Sequence, residues 1–298
     1  MFKKTLIIGC GLIGSSILRA IHNKKLSKSI LVFEKSKKNI SKIKKIKSNI
    51  KFVKILNNQI SDVDLAIICT PMSEYKKIIP KLNQNLKSKC LITDVGSTKA
   101  NTIKLKNKYL SEKLLWISSH PIAGSEVSGP EYGSKNLFIN KWCVIIKERK
   151  QSLKKLNVIK KFWKKIGSKV VLMNANDHDS IFAITSHLPH LIAYNLIKTA
   201  QDSEKIQRKN LIQYSAGGLR DFSRIAASNE VMWRDIFFSN DNIIKAINIF
   251  TKNLNSFKKI IQNKNNKKLL SQLSHSKKAR RKIVQLKQDV AKPDFGRE

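Results

Sequence analysis

His120 stands in a chemically dense run, Ser118-Ser119-His120-Pro121-Ile122-Ala123-Gly124-Ser125-Glu126. An imidazole with an ordinary pKa of about 6.5 takes up a proton at neutral pH. Removing a hydride from a carbinol carbon needs such a base on the hydroxyl. A second polar run, Asp94-Val95-Gly96-Ser97-Thr98-Lys99, also closes an apolar stretch and carries Ser97. From the residues alone, a histidine before a proline serves equally as a turn cap, so both roles stand for His120.

The third chemical signal is Gly9-Cys10-Gly11-Leu12-Ile13-Gly14, placed after Thr5–Ile8 and ahead of a helical pattern. Gly9 permits a tight turn, Gly11 lets backbone approach a pyrophosphate, and Gly14 lets a helix pack closely on a strand. The phosphates would sit at the helix N-terminus beside Leu12 and Ile13, where free N–H groups and the dipole favour an anion. Glu34 ends the next strand pattern, 20 residues past Gly14. A carboxylate there accepts from ribose hydroxyls and repels a 2′-phosphate, so NAD is expected over NADP. Lys35, Lys37 and Lys38 pull the other way, and NADP stays open. Thr70 and Pro71, at the end of the Leu65–Cys69 run, are expected to border the cofactor, because ligands of open α/β sheets lie beyond the strands' carboxyl ends.

His187 and His190, in Thr185-Ser186-His187-Leu188-Pro189-His190, share a helix face. No carboxylate or third histidine falls at ligand spacing, and no metal is expected. His178, in Asp177-His178-Asp179, reads as a helix-start residue. The cysteines Cys10, Cys69, Cys90 and Cys143 lie in or beside apolar runs with no CxxC pair. They read as buried thiols of a cytoplasmic protein, not as disulfides or a zinc site.

These residues need elements to hold them. Strand patterns cover Thr5–Ile8, Ile30–Glu34, Leu65–Cys69, Cys90–Val95, Leu115–Ser118, Trp142–Ile146 and Lys169–Met173. Helical patterns cover Leu12–His22, Lys38–Lys47, Ser73–Leu82 and Leu153–Ile166. Such alternation predicts a Rossmann-type α/β domain with a mostly parallel sheet over 1–173. From Asn174 the strand runs stop, and periodic apolar patterns cover Asp177–Thr199, Lys209–Ser215 and Asn240–Gln262. Residues 174–298 are therefore expected to form an all-α substrate-binding and dimerisation domain, ending in a basic tail from Lys264.

Composition narrows the function classes. Lys plus Arg is 59 against 20 Asp plus Glu, a net charge of +39. That charge invites a nucleic-acid reading. However, the lysines are scattered beside Asn and Ile, as AT-rich codons would place them. Phe33, Phe52, Trp116 and Phe162 lie inside apolar runs, not as a stacking ladder. No specific nucleic-acid partner is expected. The apolar runs are too short to span a bilayer, so no membrane segment is expected either. Met1 to Leu18 imitates a signal peptide, but Arg19 follows directly and the glycines serve the nucleotide turn.

Taken together and in order, Gly9–Gly14, Asp94–Lys99, His120–Gly129 (HPIAGSEVSG), Thr185–His190 (TSHLPH) and Ser215–Asp235 (SAGGLRDFSRIAASNEVMWRD) resemble the prephenate/arogenate dehydrogenase family. The likeness runs from about Phe2 to Phe257. It implies NAD-dependent oxidative decarboxylation of prephenate to 4-hydroxyphenylpyruvate, of arogenate to tyrosine, or of both, in tyrosine biosynthesis. By the same resemblance, His120 accepts the ring-hydroxyl proton and Ser97 orients that pair. Arg224, in Asp221-Phe222-Ser223-Arg224-Ile225, grips a substrate carboxylate with the planar fork that lysine lacks. His190, Ser125 and Glu126 line the substrate cleft. His187 fits a satisfied core histidine. Trp233 is expected at a homodimer interface of the helical domain, and no regulatory domain after Phe257. The alternative is another two-domain hydroxyacid dehydrogenase, a group that typically uses a catalytic lysine and lacks the His-Pro-Ile-Ala-Gly block.

Overall fold

A computed structural model describes residues 1–46, 50–149 and 151–286 of the 298. The chain begins with β1 (Phe2–Ile8), α1 (Leu12–Asn23), β2 (Ser27–Phe33), α2 (Lys37–Lys44), β3 (Ile50–Val53), β4 (Leu65–Ile68), α3 (Tyr75–Asn85), β5 (Leu91–Asp94), α4 (Ala100–Tyr109) and β6 (Leu115–Trp116). It continues with β7 (Ser119–Pro121), β8 (Trp142–Ile146), α5 (Leu153–Lys165), β9 (Lys169–Met173), α6 (Ala175–Phe182) and α7 (Leu188–Gln207). The last helices are α8 (Gly217–Ser223), α9 (Glu230–Ser239), α10 (Asn242–Gln262) and α11 (Asn266–Gln285).

The β-branched runs form a six-stranded sheet in the order β3-β2-β1-β4-β5-β6, with every neighbour parallel. Strands covered on both faces are apolar at consecutive positions, and Leu6, Ile7, Ile8, Ile67 and Ile68 are all fully buried. The strand order reverses between β1 and β4, next to the glycine-rich turn, which is where such sheets open a ligand crevice. A second, three-stranded sheet runs β7-β8-β9, with β7 antiparallel to β8 and β8 parallel to β9. Its core side is closed by α5, whose Leu156, Ile159, Phe162 and Trp163 recur at helical spacing and are all buried.

Two compact units divide the chain, residues 1–190 with 225–242, and residues 191–224 with 243–298. The change from strand to helix falls at 173–174 as the sequence texture indicates, but the first unit extends past it. It keeps α6 and α9 because Asp179 caps the start of α4 and Asp235 accepts the Ser73 N–H. The helical pattern expected over Asp177–Thr199 is broken into α6, a π-helical turn at Ala183–His187, and α7. In the second unit, α10 and α11 leave Ile244, Ile249, Leu254, Ile261 and Leu270 more than half exposed. The basic tail forms α11; its last residues, 287–298, lie outside the described residues, as does Lys47 of the expected Lys38–Lys47 helix.

Candidate active site

The nucleotide turn meets each steric demand read from its glycines. Gly9 has φ +81°, a left-handed conformation that costs a side-chain-bearing residue energy. A Cβ there would also lie 2.8 Å from Thr70 Cγ2. A Cβ on Gly14 would lie 2.1 Å from the Gly9 carbonyl oxygen, so α1 approaches β1 as closely as backbone allows. At Gly11 a Cβ would meet nothing within 4 Å. Gly11 caps α1 without a side-chain hydrogen bond, and the N–H groups of Leu12, Ile13 and Gly14 have no acceptor within the helix. The result is open space in front of an uncapped helix N-terminus, a cradle that fits a pyrophosphate.

Glu34 follows β2 and is held by backbone. Its Oε2 accepts the Cys10 N–H at 2.8 Å and its Oε1 accepts the Ser36 N–H at 2.9 Å. The carboxylate is thereby fixed at the head of the glycine turn. Lys35 pairs with Glu74 at 2.6 Å and Lys42 with Glu131. Of the cations named as a counterweight to Glu34, Lys35 is thus already matched by an acid. The Cys10 thiol is pushed up to about 12, chiefly by burial and then by Glu34, and is inert at neutral pH. Thr70 and Pro71 border the turn beyond β4, and the Thr70 Oγ1 is buried without a hydrogen-bond partner.

The Asp94–Lys99 run has a structural centre that sequence reasoning missed. Asp94 and Lys99 are both fully buried and pair at 2.6 Å. The Lys99 ammonium also donates to the Ser119 carbonyl at 2.6 Å. Asp94 accepts from the Gly96 N–H, the Trp116 indole and the Ser118 hydroxyl. A buried ion pair survives only when its remaining valences are met in this way. It locks the end of β5 to β7, whose central residue is His120. Ser97 is half-buried in the loop between β5 and α4, and among the described residues its hydroxyl makes no hydrogen bond.

His120 pairs with Val144 across β7 and β8. Its Nδ1 lies 2.8 Å from His178 Nε2, and its ring meets Phe182 edge-on at 5.1 Å. Burial first, then His178, Lys99 and His187, holds its pKa well below the usual 6.5. His120 is therefore a neutral imidazole at neutral pH. His178 does lie in the first turns of α6, as its sequence position suggests, but it also partners His120 and Asp179. The acids flanking it in Asp177-His178-Asp179 were the one signal that could have pointed there.

His187 is buried, with Nδ1 on the Asn240 amide at 3.1 Å and Nε2 without a partner. His190 is half-buried; its Nδ1 binds the Ser186 carbonyl at 2.9 Å, and its ring stacks on Trp233 at 3.8 Å. Trp233 is itself 5% exposed, and stacks within the first unit on the histidine that sequence reading assigned to substrate. Ser125 is exposed and Glu126 half-buried in the loop after β7. Arg224 belongs to the second unit and opens the 3-10 turn Arg224–Ala227. Among the described residues no three His, Cys, Asp or Glu side chains cluster to hold a metal.

Residues 17–172 match the family model described as prephenate dehydrogenase, nucleotide-binding domain, and residues 174–275 match prephenate dehydrogenase, dimerization domain. The chain belongs to the prephenate dehydrogenase family. Within that family it is 31% identical to the cyclohexadienyl dehydrogenase of Zymomonas mobilis, over 94% of this chain and 96% of that one. It is also 31% identical to the prephenate dehydrogenase of Lactococcus lactis, over 85% of this chain and 69% of the other. The fold superposes on the prephenate dehydrogenase of Aquifex aeolicus, a structure in complex with hydroxyphenyl propionate and NAD+, with a TM-score of 0.87 and 30% identity over 95% of this chain and 99% of that one. Among the described residues, no helix of this prephenate dehydrogenase family member is long and apolar enough to cross a membrane.

Proposed function

We propose that this chain is an NAD-dependent dehydrogenase that oxidatively decarboxylates prephenate to 4-hydroxyphenylpyruvate, arogenate to tyrosine, or both. The observation that carries this reading is His120. It is a neutral imidazole anchored through Nδ1, in a chain whose two halves both match the family. A base so held offers its other nitrogen, Nε2, to a substrate hydroxyl. NAD, when bound, takes up hydride at its nicotinamide ring.

The protein's own residues do the rest. The N–H groups of Leu12, Ile13 and Gly14 receive the pyrophosphate, with Gly9 and Gly11 giving it room. Glu34 takes the adenine ribose, and Thr70 and Pro71 form the near wall. His120 holds the ring-hydroxyl proton while the C–H bond breaks and the carboxylate leaves as CO2. It then returns that proton to the phenolate oxygen, so no net proton is consumed. Ser97, whose hydroxyl is uncommitted, orients the substrate oxygen. His190, Ser125 and Glu126 line the substrate side, and Arg224 receives a carboxylate. Functionally, 1–173 binds the dinucleotide, and 174–298 supplies substrate contacts and a homodimer interface. The exposed isoleucines and leucines of α10 support that interface. Four unpaired cysteines, three of them buried, support a cytoplasmic location.

The test is a rate comparison of prephenate and arogenate with NAD and NADP, with product identified by mass spectrometry. Turnover is expected with NAD in preference to NADP, because Glu34 repels a 2′-phosphate and Lys35 is engaged by Glu74. Absence of turnover with both substrates overturns the assignment.

A further inference from the structure

His178 and Asp179 have no part in the reaction as set out above, yet they form a chain behind His120. Asp179 Oδ1 lies 2.7 Å from His178 Nδ1 and accepts the Lys99 N–H at 2.8 Å. Its Oδ2 accepts the Ala100 N–H at 2.8 Å. His178 Nε2 then lies 2.8 Å from His120 Nδ1. All three side chains sit in the first compact unit. We infer that Asp179 and His178 are positioning residues that set the tautomer of His120 and receive its second ring proton during turnover.

The inference rests on His120 being the base. The logic is donor and acceptor arithmetic. An ionised carboxylate only accepts, so the proton between Asp179 and His178 belongs to His178 Nδ1. A neutral His178 then has a bare Nε2, which accepts. The proton in the next bond must therefore sit on His120 Nδ1, leaving His120 Nε2 bare for the substrate. When Nε2 takes the hydroxyl proton, His120 passes the Nδ1 proton to His178 Nε2. His120 is neutral again, and the imidazolium lies on His178 against the Asp179 carboxylate. The step reverses when the proton returns to the product oxygen.

The surroundings favour this direction. His120 faces Lys99, His187 and His178, all of which disfavour a charge on its ring, and Cys143 of β8, which is neutral. His178 faces Lys99 as well, but it also feels Asp179 and Asp94, which favour its charged form. Asn240 fixes the Asp179 backbone by donating to its carbonyl at 2.8 Å. Phe182 packs on both rings, at 5.1 and 4.6 Å.

A purely structural reading of Asp179 also exists, since it caps the start of α4. Two measurements separate the readings. In the wild-type chain with 15N-labelled histidine, long-range proton–nitrogen correlation NMR is expected to show the Nδ1–H form for both His178 and His120. In Asp179→Asn the anion behind His178 is lost, and the amide nitrogen must face the Ala100 N–H, or else the Lys99 N–H together with His178 Nδ1. Its kcat is expected to fall about 10²- to 10⁴-fold, with KM and the NAD Kd within about threefold of wild type. The acid limb of its kcat profile is expected to move to lower pH, because the pair has lost its anion. An Nε2–H tautomer on His120 in the wild-type chain overturns the inference even if the variant does not fold. So does an Asp179→Asn enzyme with wild-type kcat and an unmoved profile. Absence of turnover by the wild-type chain on prephenate and arogenate would instead remove the function on which it rests.

Discussion

Two glycines of the nucleotide turn should separate binding from folding. Gly11→Ala places a methyl group where nothing lies within 4 Å. Gly11 is an N-cap with φ −72° and ψ −150°, at the margin of the extended region and with no positive φ to exclude alanine. Glycine caps a helix better than alanine, so the folded state is expected to weaken by about 0.5–1 kcal/mol. The methyl does fill the space through which a pyrophosphate must reach the α1 amides. Loss of one charge-assisted hydrogen bond is worth about 1.5–3 kcal/mol. At about 1.4 kcal/mol per tenfold, the NAD Kd should rise roughly 10- to 150-fold. Gly14→Ala behaves differently, because its methyl would sit 2.1 Å from the Gly9 carbonyl oxygen. Ordinary carbon–oxygen contacts begin at about 3.3 Å, so α1 must withdraw by about 1 Å. Overpacking of that kind costs about 1–3 kcal/mol. The better helix propensity of alanine offsets at most about 1 kcal/mol. Stability and affinity should both fall. Urea unfolding and calorimetric titration with NAD read the two quantities. A Gly11→Ala protein that binds NAD like wild type would refute the placement of the phosphates at this helix.

Three further outcomes are expected. His120→Asn should lower kcat roughly 10²- to 10⁴-fold with little change in substrate KM; near-normal turnover in a steady-state assay removes His120 from the chemistry. Arg224→Ala should mainly raise the substrate KM, by roughly tenfold or more, and an unchanged constant counts against a carboxylate contact. Acid should destabilise the fold through its buried histidines. His187 is held at about 4 by burial, against 6.5 when unfolded, and burial lowers His120 and His178 in the same direction. Between those values the unfolded chain binds more protons, so stability is complete above 6.5 and is lost as pH falls toward 4. For His187 alone this is on the order of 3 kcal/mol. A urea midpoint that is the same at about pH 7 and about pH 5 would contradict neutral buried histidines.

What the sequence determined by itself is what local periodicity and glycine placement encode. β-branched runs such as Leu65–Ile68 and Trp142–Ile146 become strands at those positions because an apolar run covered on both faces has few other stable forms. Gly9, Gly11 and Gly14 reveal the nucleotide turn because its steric needs fall within six residues. Elements whose stability comes from partners left weaker marks. Ser119-His120-Pro121 has a poor strand composition, and becomes β7 only because β8 supplies the pairing. Ala100–Tyr109 carries Asn and Thr with little amphipathic bias, and its start is capped by Asp179 from 79 residues away. The site divides along the same line. His120 is visible as a reactive residue, but its hydrogen bond to His178 spans 58 positions. Tertiary structure alone decided that Asp94 and Lys99 are a buried pair, that Trp233 stacks on His190, and that an aspartate stands behind the base with one imidazole between them. Hydrogen bonds and ion pairs between distant segments depend on where the chain folds back, and spacing along the chain carries no record of that return.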